Sequence, residues 1–352
     1  MRISLLISLF FFSVTSFAQL GGKHTFSFLD LSFSARTVGL GNDFITARDN
    51  DLSLGLLTPS LLNELQNNSA TFNHSILASG TNYGMVGYAH KIKNAGIMSG
   101  QIRYISYGKM DRTNELGEVT GTFRAGDVVV GLGFQHDINK YISIGANLNF
   151  IFSNLDTYNA FGMSLDLAGT FHFDKANTIV TAVVKNAGYQ FSGYVTKQHE
   201  PIRPQMQIGV SHKIKHAPLR ISVLMHDLNK WDLTYNDPNV KPTKDPLTGD
   251  TIPVKKSGFG DKLGRHFTFQ LEILITSYLH VRAAFNIQQR QQMKVVDRTG
   301  MAGFSFGFGL MLKKFQIQYG INIISAAGFN NMFSISTNID EWKKRGSVKS
   351  KE

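Results

Sequence analysis

YISIGANLNFIF, residues 141–152, is the stretch whose reading decides the fold. Ile142, Ile144, Ala146, Leu148 and Phe150 alternate with Ser143, Gly145, Asn147 and Asn149. Successive side chains of a β-strand point to opposite faces, so this strand has one oily wall and one polar wall. Either a soluble sheet packed on a core or a membrane barrel with a wet lumen reads this way.

The same pattern recurs. From Ser69 onward strands are expected over 69–78, 82–92, 97–108, 124–136, 141–153, 158–173, 177–187, 206–214, 219–227, 265–275, 278–288, 301–312, 315–325 and 330–340. Phe267, Phe269, Leu271 and Ile273 oppose Thr268, Gln270 and Glu272; Leu279, Val281, Ala283 and Phe285 oppose His280, Arg282 and Asn286. About fourteen strands is an even number, as in single-chain bacterial outer-membrane barrels. Joint lengths add a second signal. Lys93–Gly96, Asp137–Lys140, Asp174–Ala176, Lys215–Pro218, Thr276–Ser277 and Lys313–Lys314 are short, whereas 109–123, 188–205, 228–264 and 289–300 are long. Segregation of short and long joints to alternate ends belongs to barrels, with short turns at the periplasm. A closed barrel also pairs every strand edge. The expected fold is therefore all-β: a transmembrane antiparallel β-barrel over 69–342, with both termini periplasmic.

Met1–Ala18 reads as a signal peptide: Arg2, an apolar run over Ile3–Val14, then Ser16-Phe17-Ala18. No later run approaches the ~18 apolar residues of a membrane helix. Residues 19–68 are not strand-like. Ser34–Val38 reads as a helical turn, and Thr58-Pro59 as a helix start. This small N-terminal helical and loop segment is expected to plug the barrel. Residues 343–352 form a basic periplasmic tail. The formal charge of +11 is scattered, apart from that tail, and points to solvated turns rather than nucleic acid.

Catalytic and metal chemistry is poorly represented. The chain has no cysteine, dispersed histidines and no H-E-x-x-H. His136-Asp137 and His226-Asp227 place a base beside a carboxylate, but strand neighbours diverge and are not expected to pair. Asp49-Asn50-Asp51 lacks the glycine and distant glutamate of a calcium loop and suits Asx turn chemistry. Gly131-x-Gly133 and Gly307-x-Gly309 lie within strands with no following helix, so they cradle no phosphate. No cofactor or metal is expected. Trp231, Tyr235 and Phe259, in the longest joint, are candidate partner contacts.

Several segments carry a resemblance. FSFLDLSFSARTVGLGND (26–43) and DNDLSLGLLTPSLL (49–62) resemble the N-terminal block of PorQ-like and, more loosely, PorV-like proteins, outer-membrane proteins of the Bacteroidetes type IX secretion system. YGKMDRTNELGEVTGTFRAGD (107–127), HDLNKWDLTYNDP (226–238), DPLTGD (245–250), DKLGRH (261–266) and NIQQRQQMK (286–294) are similar to the PorQ-like members in particular. The resemblance spans nearly the whole mature chain and implies a barrel related to the fourteen-stranded FadL transporters. It also implies a non-enzymatic subunit of the attachment complex, anchoring a PorZ-like surface protein that helps join secreted cargo to lipopolysaccharide, beside PorU and PorV. Such chains tend to close on a terminal aromatic; here FSISTNIDEW (333–342) ends at Trp342 as the barrel-assembly signal, with ten residues following. Two other roles are carried forward: FadL-like transport of hydrophobic compounds, and an outer-membrane hydrolase with Ser, His and an acid at the rim.

Overall fold

The structure, a computed structural model, describes residues 24–77, 80–93, 95–195, 197–234, 243–244, 251–252, 257–293, 300–325 and 328–343. The expected signal peptide, the tail beyond Lys343 and Tyr235 lie outside these residues.

Fourteen antiparallel strands close into a barrel. They are β1 (Ser69–Ile76), β2 (Asn82–Ile92), β3 (Gly96–Thr113), β4 (Val119–Asp137), β5 (Ile142–Leu155), β6 (Tyr158–Phe173), β7 (Thr178–Ser192), β8 (Gln205–Lys213), β9 (Leu219–Met225), β12 (Phe267–Ile273), β13 (Leu279–Asn286), β14 (Phe304–Met311), β15 (Phe315–Ser325) and β16 (Gly328–Asn338). Between β9 and β12, β10 (Thr243–Lys244) and β11 (Thr251–Ile252) pair as a separate small hairpin. Each barrel strand pairs with its neighbour in sequence, and β1 meets β16 with Ser69 opposite Asn338, which removes the sheet edge.

Alternation sorts the side chains as the pleat requires. Along β5, Ser143, Asn147 and Asn149 are buried inward, while Ile144, Leu148 and Phe152 are exposed outward. Along β12, Thr268, Gln270 and Glu272 are buried and Phe269 is exposed. The polar residues are thus the enclosed ones and the oily residues the external ones, the inverse of a soluble sandwich and the arrangement a hydrocarbon surround stabilises.

Two joints differ from the expected loops. Most of 109–123 is strand: β3 runs to Thr113 and β4 starts at Val119, leaving only residues 114–118 as a turn. The backbone groups pair across the hairpin instead of looping into solvent. Likewise β7 continues to Ser192, five residues past its expected end.

Residues 24–68 thread the lumen from one mouth to the other. At the long-joint end, Thr25 forms a parallel bridge to Ile202 in the β7–β8 connection. Midway, the helix Ala35–Gly39 packs on β14, β15 and β16. Ser34 caps it by accepting from the Arg36 N–H at 3.3 Å. Near the short-turn end, Pro59–Leu61 forms a 3₁₀ turn against β4, β5 and β6, and Glu64 pairs with Lys91. His24 therefore sits at the mouth opposite Asn338. A segment must enter at the far mouth if it is to fill the lumen before turning up into β1.

Packing explains why the plug stays. Phe33, Ala35, Val38, Leu40, Leu52, Leu61 and Leu62 are fully buried within the ring of polar lumen residues. The wall thins where the helix approaches. Gly39 lies against Gly307 and Gly320: a Cβ on Gly39 would stand 3.1 Å from the Gly307 Cα, and one on Gly320 would overlap the Ala35 carbonyl oxygen. Gly307 of β14 is thus half of a seat for the plug, opposite Gly320 of β15, where only glycine permits the approach.

Candidate functional site: the clamped lumen and the long-joint rim

Three regions carry chemistry: an ion cluster locking the plug to the wall, a polar group at the short-turn mouth, and a polar and aromatic rim around the mouth where the plug enters.

The cluster is built on Glu272 of β12, 1 % exposed. Arg36 of the plug reaches it from Nε to Oε1 at 2.8 Å and from Nη2 to Oε2 at 2.9 Å. Arg282 of β13, opposite Glu272 in register, donates from Nε at 3.0 Å, and Arg220 of β9, opposite on the other side, from Nη1 at 2.6 Å. The remaining edge of Arg36 is held by Asp49, at 2.9 Å from each Nη, and by Asp51 at 3.5 Å. Three arginines therefore face three carboxylates with no net charge, which is what a desolvated cluster needs. The Asx reading of 49–51 also holds in part, because Asp51 caps the helix Leu52–Leu57 by accepting from the Ser53 N–H at 3.1 Å.

At the short-turn mouth, Arg48 of the plug donates from Nη2 to both oxygens of Asp137, at 2.7 and 2.9 Å. Ser143 donates to the same carboxylate at 2.6 Å and lies 2.7 Å from His172 Nε2. Ser, His and Asp thus meet, but the hydroxyl sits between the other two. In a catalytic triad the histidine is central and the acid orients it; here Asp137 is engaged by Arg48 and the serine. A cavity of about 570 Å³ opens beside them, lined by Arg48, Glu64, Asp137, His172, Lys213 and Arg220 among others.

At the other mouth, His226 Nδ1 lies 3.0 Å from Asp227 Oδ2, contrary to the expectation that these neighbours diverge. The reason is local: β9 ends at Met225, and Asp227 takes a left-handed backbone with φ 54°, so strand alternation no longer applies. Arg203 pairs with Asp227 at 2.5 Å and with Asp30 at 3.5 Å. Burial raises the Asp227 carboxyl, but the His226 hydrogen bond and Arg203 outweigh it and hold it below its ordinary value. Asp30 is different: burial, against the pull of Arg203 and with Asp227 and Asp43 nearby, pushes it up to about 6. His136 and Asp137 do diverge, His136 Nδ1 bonding the Ala95 carbonyl at 2.7 Å.

Of the candidate partner contacts, Trp231 and Phe259 come together, with ring centroids 5.4 Å apart, and His266 stacks on Trp231 at 5.7 Å. Trp231 is 50 % and Phe259 70 % exposed. The short helix Phe259–Gly264 places Lys262 on Asp232 at 2.6 Å, and that bond with those from Thr234 holds the Asp232 carboxyl far below its ordinary range. His266 fixes the patch by bonding the carbonyls of His226 and Trp231 at 2.8 and 3.1 Å. Sequence reasoning missed His266 because it lies seven residues from Phe259 and 35 from Trp231, with no periodicity linking them.

Trp342 is not on the last strand. β16 ends at Asn338, whose side chain accepts from the Asp340 N–H at 2.9 Å and turns the chain back. Trp342 then packs edge-on to Phe315 at 5.3 Å, beneath Lys314, and donates from Nε1 to Thr337 at 2.9 Å.

The fold resembles known outer-membrane barrels. The crystal structure of the Pseudomonas putida toluene transporter TodX matches with TM-score 0.55 at 12 % identity, over 88 % of this chain and 99 % of that one. A deltaS2 mutant of the TodX monoaromatic hydrocarbon channel matches with TM-score 0.51 at 10 % identity, over 88 % and 99 %. A Pseudomonas aeruginosa FadL homologue has TM-score 0.46 at 10 % identity, over 87 % and 98 %. The two TodX likenesses show the fold alone: a closed antiparallel barrel similar to that of TodX. No protein-family model matches the chain, and no curated protein does.

Proposed function

We propose that the chain is an integral, non-enzymatic outer-membrane anchor of the type IX secretion attachment complex. It holds a PorZ-like surface protein beside PorU and PorV, close to the lipopolysaccharide to which cargo is joined. The observation that carries this reading is the clamped plug: a lumen packed with buried plug side chains and crossed by the Arg36–Glu272 pair supports a static scaffold. The working surface is the long-joint rim, where Trp231 and Phe259 present a fixed aromatic patch. The resemblance of 26–43, 49–62 and 107–127 to PorQ-like proteins supplies the particular complex.

The experiment is a chromosomal deletion with two readouts. Loss of surface-attached cargo, with uptake of hydrophobic compounds intact, supports the anchor. The second reading, FadL-like transport of hydrophobic compounds, is favoured by the likeness to a toluene transporter. It requires the reverse result: lost uptake with attachment intact.

A further inference from the structure

We propose that the outward wall of β4, β5 and β6, near the short-turn end, binds one anionic phospholipid. An acyl chain fills a notch floored by Gly169, and the phosphate meets Lys140 and Lys175. The site needs only the barrel in its membrane and goes beyond either role above.

Two cross-strand rows build the notch. His136, Ile144 and Gly169 are register partners across β4, β5 and β6, and so are Phe134, Ala146 and Leu167. Phe134, Ile144 and Leu167 are exposed on the outside, whereas Gln135 and Ala168, which alternate with them, are buried inward. The two rows therefore face hydrocarbon. The adjoining rows are bulky: Leu132, Leu148 and Leu165 on one side, Ile142 and Phe171 on the other. Between them Ala146 and Gly169 are short. A Cβ on Gly169 would meet nothing within 4 Å, and its partner on β7 is only Ala182. The result is a depression of about 450 Å³ lined chiefly by these two rows. Water does not reach the hydrocarbon band, so what fills a depression there is an acyl chain.

Aromatic rings lead from the notch to the turns. Phe171, two residues from Gly169, stacks on Tyr141 with centroids 6.4 Å apart, and Phe173 packs on Phe171 at 4.3 Å. Lys140 Nζ stands 4.8 Å from the centre of the Tyr141 ring. Such rings belong at the membrane–water boundary, where lysine side chains extend towards headgroups. Gly169 is five residues from Asp174, where the β6–β7 turn begins. That is about 17 Å along the strand and about 13 Å in depth at a tilt near 40°. A lipid with its phosphate at the turns thus reaches the notch with its chain. The charge at that level selects the headgroup. Lys175 lies in the adjacent turn, and among the described residues neither it nor Lys140 forms an ion pair. Asp137 is already engaged by Arg48 and Ser143, which leaves Asp174 against two lysines. The balance is positive and favours an anionic lipid. His136 adds a polar ring at the edge of the notch, held by its Nδ1 bond to the Ala95 carbonyl.

The test titrates the full-length barrel, in a neutral detergent, with dioleoyl phosphatidylglycerol or dioleoyl phosphatidylcholine and counts bound lipid by native mass spectrometry. Gly169→Leu fills the notch from the outside. Lys140→Gln with Lys175→Gln removes the headgroup charges and leaves the notch. Lys215→Gln with Lys313→Gln removes as much charge from two other short turns. Heat-modifiable gel mobility checks closure of each barrel. The wild type is expected to bind one phosphatidylglycerol at least fivefold more tightly than phosphatidylcholine. Gly169→Leu is expected to weaken phosphatidylglycerol binding at least fivefold, and Lys140→Gln with Lys175→Gln to cut the preference below twofold. The pair at the other turns is expected to change binding less than twofold. The proposal is overturned if the wild type retains neither lipid or both equally, or if Gly169→Leu binds as the wild type does. It is also overturned if the pair at the other turns loses as much preference as Lys140→Gln with Lys175→Gln.

Discussion

Arg36, on a helix of five residues inside the barrel, holds both carboxylate oxygens of Glu272, 236 positions away on the wall, at 2.8 and 2.9 Å. One bidentate pair thus ties the N-terminal segment to a strand formed late in the chain. Its effect depends on completeness. Glu272 serves Arg36, Arg220 and Arg282 together, so losing one member leaves buried charges of the others without their counter-charge.

Removing Arg36 therefore costs more than one surface ion pair. Arg36→Ala is expected to destabilise the closed barrel by about 3–5 kcal/mol, the range for breaking a buried pair. Arg36→Lys keeps the charge but not the fork and is expected to recover less than half of that loss. Urea titration of the heat-modifiable band measures both, and planar-bilayer recordings are expected to gain conductance for Arg36→Ala as the plug loosens.

The glycine seat gives a second prediction. A methyl group at residue 320 overlaps the Ala35 carbonyl, so Gly320→Ala must push the plug helix off β15. The expected cost is about 1–3 kcal/mol, as for overpacking elsewhere. Protease cleavage within 24–48 is expected to appear in this variant and not in Gly169→Ala, where a Cβ meets open space.

Lipid-facing and lumen-facing positions of one strand answer differently to charge. Leu148→Arg is expected to cost about 2–4 kcal/mol in folding into phospholipid vesicles, the midplane value for an outward arginine. Measured by vesicle folding titration, a loss under 0.5 kcal/mol would place this face in water.

Acidity acts at the entry mouth. Asp30 has a folded value of about 6, above its ordinary 3.8, so the folded chain binds that proton more tightly than the unfolded one. Its contribution is therefore full below pH ~3.8 and lost as pH rises through about 6. Moving from pH 7 to pH 5 is expected to slow proteolysis of residues 24–33, and Asp30→Asn to abolish that difference. Asp227 runs the other way: its lowered value makes it stabilising above its ordinary pKa and lost in acid below it, outside this window.

Much of the wall is legible in the sequence because alternation is imposed by the pleat: 158–173 and 315–325 are strands over the very residues whose pattern announces them. Joint length by parity gives the two faces for the same local reason. The site is less legible. Arg36, Glu272 and Asp49 meet only through closure of the ring, and nothing in their spacing marks them. His226 and Asp227 pair because the strand expected over 219–227 ends two residues early, at Met225, and Asp227 takes a left-handed backbone. Trp231 and Phe259 are visible as exposed-loop aromatics, whereas their third member, His266, comes into contact by return of the chain into β12.

Co-purification of the tagged full-length chain from native outer membranes tests the central claim most directly. The account predicts near-stoichiometric recovery of the PorZ-like surface protein with the other attachment components, reduced at least tenfold by Trp231→Ala combined with Phe259→Ala. Recovery of the barrel alone, in a strain whose deletion mutant loses hydrophobic-compound uptake and keeps surface attachment, would contradict it.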